Sequence, residues 1–360
     1  MKTIDELLRG MVQLQASDLH LAVGSAPMYR IHGDLVPAVP GSAELLAPEM
    51  LQHMIYSIIT DEQRQTFEQK KELDFSYSIA GVSRYRGNML FQRGTMGAVL
   101  RAIPDRPKTL EELGMPPILK ELCKKPRGLV LVTGPTGSGK STTLAAMVDY
   151  VNEHRALHIV TIEDPIEFLH KNKKAVIRQR ELGADTLSFT EALKHVLRQD
   201  PDVILVGEMR DLETIALALT SAETGHLVFA TLHTIGSAAT VDRVVDVFPP
   251  HQQQQVRTQL AGVIEGVLSQ TLVPTIDHKG RVCAMEIMLG TIAIRNLIRE
   301  SKGHQITNAM QAGGGVGMVT LDAALKRLVA SGKISSQDAM ARAVDPEEFR
   351  LQGGGLGLTK

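Results

Sequence analysis

Nine consecutive residues carry the clearest chemical signal in this chain. The first eight fit the pattern G-x-x-x-x-G-K-[ST] without a gap, and a threonine follows them: Gly134, Pro135, Thr136, Gly137, Ser138, Gly139, Lys140, Ser141 and Thr142. Glycines in such a loop let backbone N–H groups close around phosphate oxygens. Lys140 can then reach the β- and γ-phosphates, and the Ser141 hydroxyl can bind Mg²⁺. The loop therefore predicts a site for a nucleoside triphosphate with Mg²⁺.

The residues on either side predict a strand before the loop and a helix after it. An apolar run at 129–132 is typical of a buried strand, and apolar residues then recur at the spacing of one helix face: Leu144, Met147, Val148 and Val151. The partial positive charge of a helix N-terminus favours phosphate at this point. This context favours a phosphate loop over the alternative, a glycine turn that binds nothing.

Strands and helices are predicted to alternate from about residue 128. The predicted strands are 129–133, 158–162, 203–206 and 227–232. Buried strands that alternate with helices predict an α/β fold with a parallel sheet. Ligands of such a sheet bind at the carboxyl ends of its strands, so polar residues that follow these strands are candidates for the site.

Two acids occupy such positions. Glu208 follows strand 203–206 almost directly, and it resembles a Walker B carboxylate that holds Mg²⁺ directly or through water. Glu163 follows strand 158–162, where a carboxylate near the γ-phosphate can orient and deprotonate the attacking water. We assign Glu163 as the base and Glu208 as the Mg²⁺ partner. The reverse assignment stays open, as does a structural role as a helix cap or an ion-pair partner.

Other polar residues are candidates for contacts to the nucleotide. His233 follows strand 227–232 and can report loss of the γ-phosphate, although a lone histidine is often only a satisfied polar residue. Phosphoryl transfer usually needs an additional positive charge. Arg84 and Arg86 share one face of a predicted strand, and Arg101 lies on another. These arginines can reach the nucleotide across a domain or subunit boundary, or they can be solvated surface charges.

Composition limits the classes of function. The 360 residues are enough for about two domains, and the net charge of −1 gives no basic field for nucleic acid or anionic lipid. Aromatic residues make up 4% with no tryptophan, which argues against base stacking. The two cysteines, Cys123 and Cys283, fit a reducing cytoplasm. No signal peptide or membrane-spanning run is predicted, so any membrane association would come through other proteins.

Changes of pattern along the chain predict its organisation. An α+β region ends near residue 103, prolines mark a linker, and glycine triplets at 313–315 and 353–355 mark a flexible connection and a loose tail. One helix is predicted over 48–68 and a short one from Thr109. The predicted regions are an N-terminal domain 1–103, a linker 104–117, an ATPase core 118–290, a helical region 291–350 and a flexible tail 351–360.

Five further segments, together with the phosphate loop, resemble the secretion ATPase superfamily and, within it, the type IV pilus retraction ATPases. They are 16–21 (ASDLHL), 161–170, 200–211 (DPDVILVGEMRD), 224–249 and 293–300 (AIRNLIRE). The last segment reads as a helix in which Ile294, Leu297 and Ile298 pack inward and Arg295, Arg299 and Glu300 face out. After His233 and Thr234, the residues Ile235-Gly236-Ser237 depart from the usual family pattern.

The resemblance implies a homohexameric ATPase with a PAS-like N-terminal domain and a RecA-like P-loop core. It implies ATP sites at subunit interfaces, each completed by Arg86 and Arg101 of a neighbour. It implies a cytoplasmic motor, docked on an inner-membrane pilus platform protein, that drives pilus retraction and twitching motility. A four-cysteine zinc site and a longer N-terminal extension, usual in assembly ATPases, are missing, which favours retraction. The alternatives are an accessory retraction paralogue, an extension or type II secretion ATPase, a DNA translocase and a nucleotide-gated structural subunit.

Overall fold

Two units, each with its own hydrophobic core, make up the chain. The computed structural model describes residues 2–31, 33–41, 44–104, 106–346 and 349. Its contacts separate Met1–Arg106 with Glu167–Leu169 from Pro107–Ile166 with His170–Lys360. The finer predicted division at 117 and 290 stays a prediction, and the predicted tail, 351–360, lies outside the described residues.

The first unit is a six-stranded antiparallel sheet packed against three helices. Its strands are β1 (Asp18–Ala22), β2 (Met28–Ile31), β3 (Asp34–Pro37), β4 (Glu72–Ile79), β5 (Ser83–Gln92) and β6 (Thr95–Ile103), in the order β3-β2-β1-β6-β5-β4. Its helices are α1 (Ile4–Gln13), α2 (Pro48–Tyr56) and α3 (Asp61–Lys70). Helix α1 buries Ile4, Leu7, Leu8 and Met11, the residues of one helical face.

Two helix predictions near this unit were wrong. The helix expected over 48–68 is two helices, because Thr60 and Gln63 form a capping box that starts α3 as a separate helix. No helix starts at Thr109. That residue opens a hydrogen-bonded turn, and α4 (Ile118–Cys123) begins only after two consecutive prolines.

The second unit contains a seven-stranded sheet that confirms the predicted α/β class. Its strands are β7 (Gly128–Thr133), β8 (His158–Glu163), β9 (Val176–Glu181), β10 (Val203–Val206), β11 (Leu227–Leu232), β12 (Ile264–Pro274) and β13 (Arg281–Leu289), in the order β13-β12-β7-β11-β10-β8-β9. All neighbours are parallel except β12 and β13, which are antiparallel. The four central strands are the predicted ones; β9, β12 and β13 were not predicted.

Helices cover both faces of this sheet, which is why its central strands are continuously apolar. The helices are α5 (Lys140–His154), α6 (Phe189–Val196), α7 (Leu212–Glu223), α8 (Ser237–Asp246) and α9 (Pro250–Val263). Leu129 and Leu131 of β7 belong to the core with α6 to α9, whereas Val130 and Val132 face the core with α4 and α5. Packing of helices on both faces holds the central strands in place. Their carboxyl ends lie along one edge of the sheet.

The remaining described chain is helical, as predicted after residue 290. It contains α10 (Ile292–Arg299), α11 (Ile306–Ala312), α12 (Leu321–Ala330) and α13 (Ser336–Met340). The glycine triplet at 313–315 is not a flexible connection, because it lies in a 3₁₀ helix, Gly313–Val316. A Cβ atom on Gly313 would lie 2.5 Å from Met318 Cε, so a larger residue there would displace the methionine side chain.

Candidate nucleotide site

The phosphate loop joins the end of β7 to the start of α5, as the sequence predicted. Gly134, Gly137 and Gly139 have φ angles of 136°, 79° and 88°, in the region that favours glycine. A Cβ atom on Gly134 would lie 2.2 Å from the carbonyl oxygen of Gln270 and 2.8 Å from Ser138 Oγ. The loop can therefore close this tightly only with glycine at its first position.

The predicted binding residues occupy different parts of the loop. Pro135, Thr136 and Gly137 are exposed, whereas Ser138 and Lys140 are buried. Ser141 and Thr142 lie in the first turn of α5 and are half-buried. The structure thus presents an exposed rim above a buried serine and lysine.

The Lys140 ammonium group is held by the loop itself. Its Nζ donates to the carbonyl oxygens of Gly134 at 2.8 Å and Pro135 at 3.0 Å. The buried Ser138 hydroxyl has no hydrogen-bond partner among the described residues. A cation, an unpaired buried donor and the N-terminus of the 15-residue α5 meet at one place, and this donor set fits the phosphates of a nucleotide.

One residue that was not predicted from the sequence donates a hydrogen bond to the phosphate loop. Gln270, 2% exposed in β12, donates its Nε2 to the carbonyl oxygen of Ser138 at 2.7 Å. The two residues are 132 positions apart, so no local pattern links them. Only the pairing of β12 with β7 brings Gln270 under the loop.

Glu163 lies at the end of β8, as predicted, and receives hydrogen bonds from neutral groups. Its Oε1 accepts from the Thr161 hydroxyl at 2.6 Å and from Gln179 Nε2 at 3.1 Å. Gln179 comes from the unpredicted strand β9 and is level with Thr161 in the register of the two strands. Glu163 does not cap a helix, because β8 continues into a loop.

Glu208 follows β10, and two basic side chains flank it. Its Oε2 lies 2.8 Å from Arg210 Nη2, and its Oε1 lies 3.1 Å from His233 Nε2. Burial opposes ionisation of this carboxyl group, but Arg210 and His233 outweigh burial and lower its pKa. Arg210 was not predicted as a site residue; it also lies 3.8 Å from Asp164.

His233 and Glu208 are brought together because β10 and β11 are neighbours in the sheet. His233 follows β11, and its side chain is 47% exposed. Thr231, two residues earlier, donates its hydroxyl to the carbonyl oxygen of Gly207 and so ties the two strand ends together. His233 is therefore paired with Glu208 and is also accessible to solvent.

The predicted arginines lie in the first unit, on facing positions of β5 and β6. Arg86 and Arg101 are register partners. Arg86 Nη2 lies 4.0 Å from Asp74, and Arg101 Nε pairs at 2.7 Å with Asp18, whose carboxylate is buried. Burial raises the pKa of Asp18, but hydrogen bonds from Ser17 and Arg101 outweigh it and lower the pKa overall. A contact of Arg86 or Arg101 to a neighbour's nucleotide stays a prediction.

The predicted orientation of one residue in α10 was wrong. Ile294 and Ile298 are buried as expected, but Arg295 does not face out. Its guanidinium donates to the carbonyl oxygens of Ala261, Gly262 and Gly290 and pairs with Glu265 at 2.7 Å. Arginine can turn inward here because these carbonyls, at the end of α9 and after β13, need donors.

Two kinds of feature are absent from the described residues. Within the described ranges, no helix is long and apolar enough to cross a membrane. The same residues contain no group of three or more histidine, cysteine, aspartate or glutamate side chains placed to hold a metal ion.

A phosphate loop between a parallel strand and a helix, with acids at the ends of neighbouring strands, defines a P-loop ATPase core. Residues 1–343 match the family model described as type II/IV secretion system protein, and the chain belongs to that family.

Relatives and a solved structure resemble the chain over nearly its whole length. It is 55% identical to the type IV pilus retraction ATPase PilT of Pseudomonas aeruginosa, over 96% of this chain and 99% of that protein. It is 49% identical to a twitching motility protein of Neisseria gonorrhoeae, over 94% and 89%. A crystal structure of the pilus retraction motor PilT with bound ADP matches with a TM-score of 0.91 and 46% identity, covering 98% of this chain and all of that one.

Proposed function

We propose that this chain is the ATP-hydrolysing motor of type IV pilus retraction and thereby of twitching motility. One observation carries the proposal: the chain is 55% identical, over nearly the full length of both proteins, to a pilus retraction ATPase. The site supports hydrolysis, because a phosphate loop and two strand-end acids belong to one sheet edge.

Each residue of the site has a proposed role. The loop N–H groups, Lys140 and the Ser138 hydroxyl bind the phosphates. Glu163, oriented by Thr161 and Gln179, accepts a proton from the attacking water. Mg²⁺, when bound, would neutralise charge on the phosphates; the Ser141 hydroxyl and Glu208 are the groups that would hold it. His233 contacts the γ-phosphate and responds to its loss.

The quaternary arrangement and the partners are part of the proposal. The retraction ATPases that the chain resembles imply a homohexamer in which Arg86 and Arg101 complete the site of a neighbouring subunit. They also imply a cytoplasmic position at the inner membrane, through a pilus platform protein and without nucleic acid. The balanced net charge of −1 supports a protein partner over a nucleic-acid partner.

The test is deletion of the gene in its source organism, followed by imaging of fluorescently labelled pili in live cells. Many long pili that never shorten are the expected result, with recovery by the wild-type gene and no recovery by Glu163→Gln. Bald cells would indicate an extension ATPase instead. Pili that still retract at the normal rate would indicate an accessory paralogue. Either of the last two results would overturn the proposal.

A further inference from the structure

Glu286 is a buried carboxylate in β13 that the proposed chemistry does not use. The residue is 9% exposed, and its two side-chain oxygens accept hydrogen bonds from backbone N–H groups of two different helices. Oε1 accepts from Ser237, the first residue of α8, at 2.6 Å, and Oε2 accepts from Leu321, the first residue of α12, at 3.4 Å. The N–H groups of a helix's first turn have no partner inside the helix, so one acid serves two helix starts.

The first of these helices follows directly from the nucleotide site. Only residues 234–236 separate His233 from Ser237. Gly236, within this connection, donates its N–H to Ser269 Oγ at 2.9 Å, and Ser269 is the register partner of Glu286 across β12 and β13. The end of the His233 loop, residues 233–236, is therefore fixed to this strand pair by Ser269 and Glu286.

The second helix belongs to the C-terminal helical region. Val319 exchanges two backbone hydrogen bonds with Ile287, the residue after Glu286, at 2.7 and 3.0 Å. Thr320 then caps α12 through its side chain. The start of α12 is thus joined to β13 at the point where Glu286 also holds the His233 loop.

The two helix starts border one cavity. A cavity of about 980 Å³ is lined by Gly236, Ser237, Glu286 and Leu321, among others. The Ser237 hydroxyl, although buried, has no hydrogen-bond partner among the described residues. The Glu286 carboxylate therefore connects the two helix starts directly, and the cavity beside them leaves space for movement.

We infer that Glu286 is a positioning residue that couples the His233 loop to α12. A displacement of His233 on loss of the γ-phosphate moves Ser237, the carboxylate follows its hydrogen bond, and the start of α12 shifts with it. The inference rests on the proposed role of His233. Through this contact, a change of the bound nucleotide at the carboxyl edge of the sheet would alter the position of the C-terminal helices.

The test is hydrogen–deuterium exchange of the full chain with Mg²⁺ and either ADP or a non-hydrolysable ATP analogue. In the wild type we expect exchange to differ between the two nucleotides in residues 227–240 and in residues 318–330. In Glu286→Gln the first difference should remain and the second should fall at least threefold. The reason is that the neutral amide presents an NH₂ group to one of the two N–H donors.

Kinetics and a matched control separate coupling from stability. Glu286→Gln should lower kcat about fivefold with KM within about twofold, since the variant leaves the phosphate-binding groups in place. Asp149→Asn removes another buried acid, which lies in α5 and pairs with Lys173. This control should show both nucleotide-dependent differences at wild-type size. Melting temperatures of both variants are measured alongside.

A second variant keeps the acid and removes one donor. Leu321→Pro deletes the N–H that Oε2 accepts, at the first helical position, where proline is tolerated, but it also removes a buried side chain. Leu321→Ala removes that side chain, keeps the N–H and is therefore its control. Leu321→Pro should lose the α12 response in the same way, even if Glu286→Gln does not fold. An undiminished α12 response in folded Glu286→Gln or Leu321→Pro would overturn the coupling. No response at residues 227–240 in the wild type would instead overturn the proposed role of His233, and the coupling with it.

Discussion

The strand ends of β8 and β10 carry the same residue type in different surroundings. Glu163 accepts hydrogen bonds from a hydroxyl and an amide, whereas Glu208 lies between an arginine and a histidine. The hydrogen bonds from Thr161 and Gln179 orient the Glu163 carboxylate, and a general base must be positioned in this way to accept a proton. Arg210 and His233 lower the pKa of Glu208, so this carboxylate stays ionised but is a weaker base, which suits it to charge positioning.

The difference between the two acids gives a physical reason for an assignment that the sequence left open. Sequence placed both acids at the carboxyl ends of parallel strands and could not choose between them. The pairing of Glu208 with Arg210 and His233 favours Glu208 as the group that holds a cation and His233, which leaves Glu163 as the base. The assignment remains a proposal, and the following variants test it from the largest expected effect to the smallest.

The largest effect is expected from Glu163→Gln, which removes the proposed base and keeps its size. We expect kcat to fall by about 10²- to 10⁴-fold, the usual contribution of a general base. ADP affinity, measured by equilibrium titration, should stay within about threefold, because Lys140 and the loop are intact. Lys140→Ala is the contrasting variant, which should lose binding and turnover together. Turnover above about a tenth of wild type in Glu163→Gln would reverse the assignment.

A smaller effect of a different kind is expected from Glu208→Gln. Loss of the charge should lower kcat by about 10- to 100-fold and raise the Mg²⁺ concentration needed for half-maximal rate. Titration of Mg²⁺ at saturating ATP measures this directly. Glu163→Gln is the matched control and should keep the wild-type Mg²⁺ dependence. Identical Mg²⁺ curves for the two variants would remove the distinction between the acids.

Arg210→Gln tests whether the charge of Arg210 lowers the pKa of Glu208. Arg210 favours the ionised form of Glu208 and so lowers its pKa, against the effect of burial. Without the guanidinium the pKa of Glu208 should rise, and the acid limb of the rate profile should move to higher pH. At neutral pH we expect a decrease in kcat of about threefold.

The control for Arg210→Gln is Arg198→Gln, a change of an exposed arginine after α6. This variant should leave the pH profile and kcat as in the wild type. An acid limb that does not move in Arg210→Gln would mean that Glu208 does not set it.

The parts of the site that sequence predicted are those fixed by local chain geometry. A strand, a glycine loop and a helix follow one another within 27 residues, so residue types and spacing specify the phosphate loop. Glu208 and His233 follow apolar runs long enough to identify as buried strands, and the parallel sheet then places them on one edge. The positions of these residues in space could therefore be predicted from the sequence pattern alone.

The parts that sequence missed depend on contacts distant along the chain. Gln270 reaches Ser138 only because β12 pairs with β7, and β12 was not predicted since polar residues interrupt its apolar pattern. Arg295 shows the limit of helical periodicity. Its position in α10 predicted an outward side chain, but unpaired carbonyls at the end of α9 provide partners that turn it inward.

The smallest effect is expected at a third acid, Asp18. Like Glu208 it pairs with an arginine, but we expect its ion pair to affect stability rather than turnover. Arg101 pairs with it, so Arg101→Gln should reduce the free energy of unfolding by about 1 kcal/mol at pH 7. The pKa of Asp18 is lowered in the folded state, so this contribution is complete above the pKa of the unfolded chain. It is lost as the pH falls through the lower folded value.

Urea unfolding at pH 7 and pH 3 therefore separates two roles of Arg101. A stability difference that shrinks at pH 3, with kcat within about twofold of wild type, would make Arg101 a partner of Asp18 and no more. A fall in kcat beyond about tenfold, at a urea concentration where both proteins are folded, would support its proposed action on a neighbour's nucleotide. Asp18→Asn provides the matched variant, because it removes the same ion pair and leaves the guanidinium available. If Arg101 acts on a neighbour, Asp18→Asn should lose stability and keep its turnover.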